Sequence, residues 1–166
     1  MRMMRWCILL MLMTLLAACR GIYPGWGMHR RQPALAESYN SNGEQIYFTG
    51  VNSRGEFITY SGGPGFGGMM NSVVSCVSCH GSDGRGGLHW MHMQRMDAPD
   101  IRYSSLSMEL EEHQGAGHDV YNLEDFRLAV IDGSHPDGEP LDENMPNWQI
   151  NDADLADLFE YIKTLP

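Results

Sequence analysis

The run Cys76-Val77-Ser78-Cys79-His80 constrains this chain more than any other stretch. Two thiols three positions apart can each add to one vinyl group of the same porphyrin, and the imidazole next in line can reach the iron from the proximal side. Two other uses of a C-x-x-C pair fit less well. A thioredoxin-like dithiol wants a strand before it and a helix after it, whereas Gly and Ser crowd both sides here. A structural zinc site would need further ligands at metal spacing, and no second C-x-x-C exists. The motif therefore predicts one covalently attached haem c, held by Cys76 and Cys79 with His80 as an axial iron ligand.

The remaining cysteines, Cys7 and Cys19, lie in an N-terminal segment that reads as an export signal. Arg2 and Arg5 give it a basic start, and Cys7 to Ala18 is a continuous apolar run, too short for a comfortable membrane span. It ends in Leu16-Ala17-Ala18-Cys19, which resembles the lipobox of bacterial lipoproteins. That resemblance implies cleavage after residue 18 and diacylation of Cys19. The expected organisation is a signal peptide over 1–18, a tether over 19–37 and one haem domain over 38–166. The chain would then sit outside the cytoplasm, lipid-anchored to a bacterial membrane. With Arg20 in place of an Asp after the cysteine, a diderm host would sort it to the outer membrane. An oxidising compartment also suits the single remaining cysteine pair.

Charge narrows the partners. The formal net charge is −10, and loss of Arg2 and Arg5 with the signal takes it to −12. Such a surface repels nucleic acid and anionic headgroups, and it suits transient docking to redox proteins or to a larger respiratory complex.

Along the chain, Asn42 with Gln45 predicts a capped helix carrying Ile46 and Tyr47. Val51 to Ser75 then holds a turn at Asn52-Ser53-Arg54-Gly55 between two short extended runs, with Phe57, Ile58 and Tyr60 in the second, and a glycine-dense loop from Ser61 to Gly68, read as a pliable cover over a haem edge. Asn122 caps a helix to about Ile131, ended by Gly133. Asn151 starts a last helix in which Leu155, Leu158, Phe159 and Ile162 fall on one face. No strong strand pattern appears, so the expected fold is mainly α. Glu109-Leu110-Glu111-Glu112-His113 reads as a solvated acidic loop, and His135 as a turn residue without chemistry.

Met145 is the candidate second axial ligand. It lies in Asn144-Met145-Pro146-Asn147-Trp148 just before the last helix, where Pro146 stiffens the backbone. A thioether opposite imidazole favours ferrous iron and raises the potential. Thirteen methionines make a lone Met poor evidence, and Met91, Met93, Met96 and Met108 are its rivals.

Taken together, these motifs resemble the class I cytochrome c family over roughly residues 40–166. Gly43 and Tyr47 stand at the family's first-helix spacing, and Leu158 and Tyr161 stand where its last helix crosses the first. Between them come C-x-x-C-H-G, Ala98-Pro99-Asp100-Ile101, and Pro136-Asp137-Gly138 leading to Met145-Pro146. The resemblance implies a cytochrome c fold of three to five short helices wrapped round one covalent haem, with the Pro99 carbonyl accepting from His80 Nδ1. The chain departs from the family in its long glycine-rich insertion before the haem motif.

The implied activity is single-electron transfer rather than catalysis, with His80 and Met145 closing both axial positions. The rivals are a haem enzyme, against which no distal acid–base pair is evident, and a gas- or copper-binding sensor with a displaceable sixth ligand. His89-Trp90-Met91-His92-Met93-Gln94-Arg95-Met96 has the soft donors copper favours, but reads first as a loop lining the haem.

Overall fold

The computed structural model describes residues 38–63, 74–91, 94–112 and 120–166. Tyr39–Pro166 form one compact unit. The signal sequence, Cys19, the tether and most of the glycine-dense loop lie outside the described residues. Among those described, no helix is long and apolar enough to cross a membrane.

Among the described residues, five helices carry the fold: α1 Asn42–Thr49, α2 Val77–His80, α3 Tyr103–Glu112, α4 Leu123–Arg127 and α5 Asp152–Ile162. The α1 helix begins one residue earlier than its sequence pattern suggested. Ser41 is the N-cap and its Oγ accepts from Glu44 N at 3.1 Å, while Glu44 reaches back to Asn40 N. Asn42, the expected cap, instead sends its amide to Asp154 and Asp157 on α5. The α4 cap agrees with expectation: Asn122 Oδ1 accepts from Glu124 N and Asp125 N, and Asp125 Oδ2 accepts from Asn122 N. The helix then widens into a π-turn over Leu128–Asp132 before Gly133.

In α5, Asn151 accepts from Asp154 N, and Leu155, Leu158, Phe159 and Ile162 are buried at the spacing of one helical face. Each such burial contributes roughly 1.5–3 kcal/mol. Phe159 is the hub of an aromatic cluster with Tyr103, Tyr121 and Phe126. The helix crosses α1 closely because Gly43 lacks a side chain; a Cβ there would overlap the Asp157 carbonyl. Tyr47 then packs on Tyr161, ring centroids 5.3 Å apart.

Two short antiparallel ladders are present where the sequence shows no strong strand pattern, one of them in the extended run expected about Tyr60. In one, β2 Gly87–Met91 pairs with β3 Gln94–Ala98 as a hairpin through the His/Met segment expected to be a loop. Leu88, Trp90, Arg95 and Asp97 are exposed on one face, and Met96 is buried on the other opposite His89. In the second ladder, β1 Thr59–Ser61 from the insertion pairs with β4 Asn147–Gln149, just after Met145. The acidic stretch expected to be a loop is instead the end of α3, with Leu106 and Leu110 buried in the core. The expected turn at Asn52–Gly55 is present: Gly55 N donates to Asn52 O and Asn52 N to Glu56 O.

Candidate haem site

A single turn of helix sets the first part of the site. His80 N donates to Cys76 O at 2.9 Å, so Cys76, Cys79 and His80 stand at i, i+3 and i+4 on one face of α2. Neither cysteine is in a disulfide. Burial pushes Cys76 up to about 12 and raises Cys79 as well. A redox-active dithiol depends on a depressed thiol, so the environment opposes that use of the pair.

His80 is buried, and its Nδ1 lies 3.0 Å from the Pro99 carbonyl oxygen. A carbonyl can only accept, so Nδ1 carries the proton and Nε2 keeps a lone pair for a metal. Burial holds the imidazole below its usual pKa, with the Pro99 contact opposing. Three backbone bonds lock this arrangement: Gly86 N to His80 O, Ile101 N to Gly84 O, and Gly84 N to Gly81 O. Gly86 takes a left-handed φ of 64°, and a Cβ there would overlap the Ala98 and Pro99 carbonyls. Beyond Pro99, Arg102 grips both oxygens of Asp100 and holds that carboxyl down at about 2. From the other side, Tyr47 Oη donates to Gly81 O at 2.5 Å, tying α1 to the motif.

These residues wall a cavity of about 400 Å³ whose lining is mostly apolar. Cys76, Cys79, His80, Pro99 and Met145 all line it. Of the rival methionines, Met96 also lines it and is buried, Met108 is exposed, and the side chains of Met91 and Met93 lie outside the described residues. Among the described residues, the buried side-chain atoms without a hydrogen-bond partner are His89 Nε2 and Trp148 Nε1, and of these two residues only Trp148 forms part of the wall. Thiols and imidazole on one turn, a mostly apolar cavity beside them and an unmet donor in its wall fit a covalently held porphyrin.

Sequence reasoning passed over three other wall features. Trp148 was visible only as a neighbour of Met145-Pro146. Arg95 lines the cavity and has no ion pair among the described residues, whereas Arg54, Arg85, Arg102, Arg127 and Lys163 each pair with a carboxylate. Glu109 and His135 both line the cavity and meet at 3.3 Å, an acid–base pair that their separation in sequence concealed. Among the described residues, no group of three or more His, Cys, Asp or Glu side chains could hold a metal ion. The copper alternative draws on His89, Met91, His92, Met93 and Met96, and the side chains of Met91, His92 and Met93 lie outside the described residues.

Comparison with known proteins agrees with this chemistry. No curated protein and no solved structure matches the chain. A family model, cytochrome c, matches residues 70–166, from just before the haem motif to the last residue given. The match begins after α1, so the α1–α5 crossing rests on the packing of Gly43 and Tyr47. It covers more than half of the chain and implies covalently bound haem c: the chain belongs to the cytochrome c family.

Proposed function

We propose that this cytochrome carries single electrons between respiratory redox partners, with His80 and Met145 as the axial ligands of its haem. The observation that carries the reading is that both side chains line one cavity from separate segments of the chain. His80 is fixed by Pro99, and Met145 sits in a turn (its N donates to Asp142 O) directly before buried Pro146 and β4. Met96 is the weaker candidate for the sixth position. It lies on β3, which runs straight into Ala98 and Pro99, the segment that supports His80. A ligand completing the iron must approach from the face opposite His80.

When bound, the haem supplies one-electron chemistry at iron. The chain's residues do the rest. Cys76 and Cys79 keep the cofactor attached while partners come and go, and Pro99 fixes the His80 ring. The apolar wall excludes water and keeps rearrangement on electron transfer small. Among the described residues acidic groups outnumber basic ones, a surface for weak docking to a basic or neutral partner patch. The Leu16-Ala17-Ala18-Cys19 sequence supports export and a lipid anchor at Cys19, with the domain facing the periplasm or the cell exterior. A Cys19→Ser protein that stays in the membrane fraction would remove the anchor from this account.

The Glu109–His135 pair favours a second reading, a haem enzyme or sensor whose sixth ligand leaves, because such a site needs a proton donor and acceptor near the iron. Optical spectra of the ferric and ferrous protein, with and without carbon monoxide, separate the two. A low-spin haem with the methionine-to-ferric charge-transfer band, indifferent to carbon monoxide, is the carrier's signature. A high-spin spectrum or ready carbon monoxide binding transfers the assignment to the second reading.

A further inference from the structure

The insertion that sets this chain apart folds back onto the residues that follow Met145. Its strand β1 pairs with β4 in register, Thr59 with Gln149, Tyr60 with Trp148 and Ser61 with Asn147. The Tyr60 and Trp148 ring centroids are 5.2 Å apart, and Thr59 Oγ1 donates to Gln149 Oε1 at 2.8 Å. Beyond the strand, Gly63 takes a left-handed φ of 83°, and a Cβ there would stand 2.9 Å from the Pro146 ring. The glycine backbone thus rests on the proline next to Met145. The π-turn holds the same segment from another element, with Asn147 Nδ2 donating to Ile131 O at 3.1 Å. Pro146 and Trp148 are both buried, so the chain is gripped at the first and third residues after Met145.

We infer that β1 and Gly63 form a clasp that keeps Met145 on the iron, with Tyr60 as its main positioning residue. The inference rests on the proposed assignment of Met145 as the sixth ligand. A thioether is a neutral ligand that favours ferrous iron, so it holds ferric iron more weakly. Nothing ties Met145 covalently to the haem, as Cys76 and Cys79 are tied. Its occupancy therefore depends on how often the segment carrying it leaves. On the upstream side Met145 follows a turn in which Asp142 and Glu143 are exposed. Restraint comes from the downstream side, and there the insertion supplies one of the two elements that grip the chain. The insertion thereby sets the fraction of molecules whose sixth position is open, and with it the balance between a sealed carrier and a ligand-binding haem.

The test adds imidazole to the ferric holoprotein and follows the methionine-to-ferric band as imidazole replaces the thioether. Tyr60→Ala removes the ring pair on Trp148 and should raise the apparent imidazole affinity about tenfold, with haem content unchanged. Backbone amide exchange in β4 should quicken in the same variant. Gly63→Val, strained at its φ and crowding Pro146, should act in the same direction. Tyr60→Phe keeps the ring and should keep the parent affinity. Phe57→Ala, in the insertion but outside β1 and 54% exposed, should also leave it unchanged. Unaltered imidazole affinity in Tyr60→Ala, with the band present in the parent and absent from Met145→Ala, would overturn the clasp and leave the ligand assignment standing. An equal rise in Phe57→Ala would overturn the clasp too, by showing general loosening of the insertion. A band that survives in Met145→Ala would overturn the ligand assignment and the clasp with it.

Discussion

His80 Nδ1 and the Pro99 carbonyl oxygen, 19 residues apart in sequence, stand 3.0 Å from each other. The contact depends on Gly86, whose missing side chain lets the backbone after the haem motif lie against the Ala98 and Pro99 carbonyls.

Gly86→Ala should therefore act on the iron without touching it. The left-handed backbone alone costs about 1–2 kcal/mol for a non-glycine residue, and the Cβ overlap adds to that by pushing Pro99 away. An imidazole that loses its carbonyl partner becomes a poorer donor to ferric iron. The expected outcome is a lower unfolding midpoint together with a raised reduction potential, read by denaturant titration and by potentiometry on the same holoprotein. A stability loss with no change in potential would mean that the His80 contact survives.

Met145→Ala should leave the haem attached through Cys76 and Cys79 but remove the ligand that favours the ferrous state. The potential should fall by a sizeable part of the roughly 0.8 V range that axial ligands span, and the methionine-to-ferric band should vanish. Met96→Ala should keep the band and lose about 2–5 kcal/mol of stability, because Met96 is buried. The reverse pattern would assign the sixth position to Met96.

What the sequence revealed was local. One helical turn of spacing placed Cys76, Cys79 and His80 together, and side-chain caps announced α4 and α5 at Asn122 and Asn151. What it hid was long-range. The β1–β4 pairing joins residues about ninety apart, and nothing in Thr59-Tyr60-Ser61 names its partner. The β2–β3 ladder alternates outward and inward residues, but the two residues between its strands in sequence, His92 and Met93, are neither the Gly nor the Asn that signals a strand pair. Asn42 looked like a cap because Asn caps helices; its amide is drawn instead to α5 by Asp154, 112 residues away. The Glu109–His135 pair escaped for the same reason, each residue bland until the fold joins them.

Asp154 should make the domain acid-sensitive. It is fully buried, and its carboxylate accepts from Asn42, Asn52, Asn151 and Arg54. Burial alone would raise its pKa, but these four partners outweigh burial and bring it from 3.8 to about 2. A depressed carboxyl contributes stability that is fully present above its unfolded value, here near pH 4, and is lost as pH falls through about 2. The depression corresponds to on the order of 2–3 kcal/mol. Unfolding free energy measured from pH 5 down to pH 2 should decline by about that much more in the parent than in Asp154→Asn. Parallel curves would show that Asp154 contributes nothing to the acid limb.

Gly43→Ala tests whether the α1–α5 crossing also supports the haem motif. An added methyl group overlaps the Asp157 carbonyl, which is backbone and cannot rotate away, so the two helices must separate. Overpacking of this kind costs typically about 1–3 kcal/mol. Separation also draws Tyr47 off Tyr161, and with it the Tyr47 hydroxyl that holds Gly81 beside His80. The expected result is a lower melting temperature of the holoprotein together with faster exchange of the backbone amides in α2. Tyr47→Phe provides the control, since it removes the Gly81 bond while leaving Gly43 and the crossing intact. If Tyr47→Phe loosens α2 as much as Gly43→Ala does, the hydroxyl is the link between crossing and haem motif. If Gly43→Ala lowers the melting temperature and α2 exchange stays unchanged, the crossing stabilises the domain without reaching the haem.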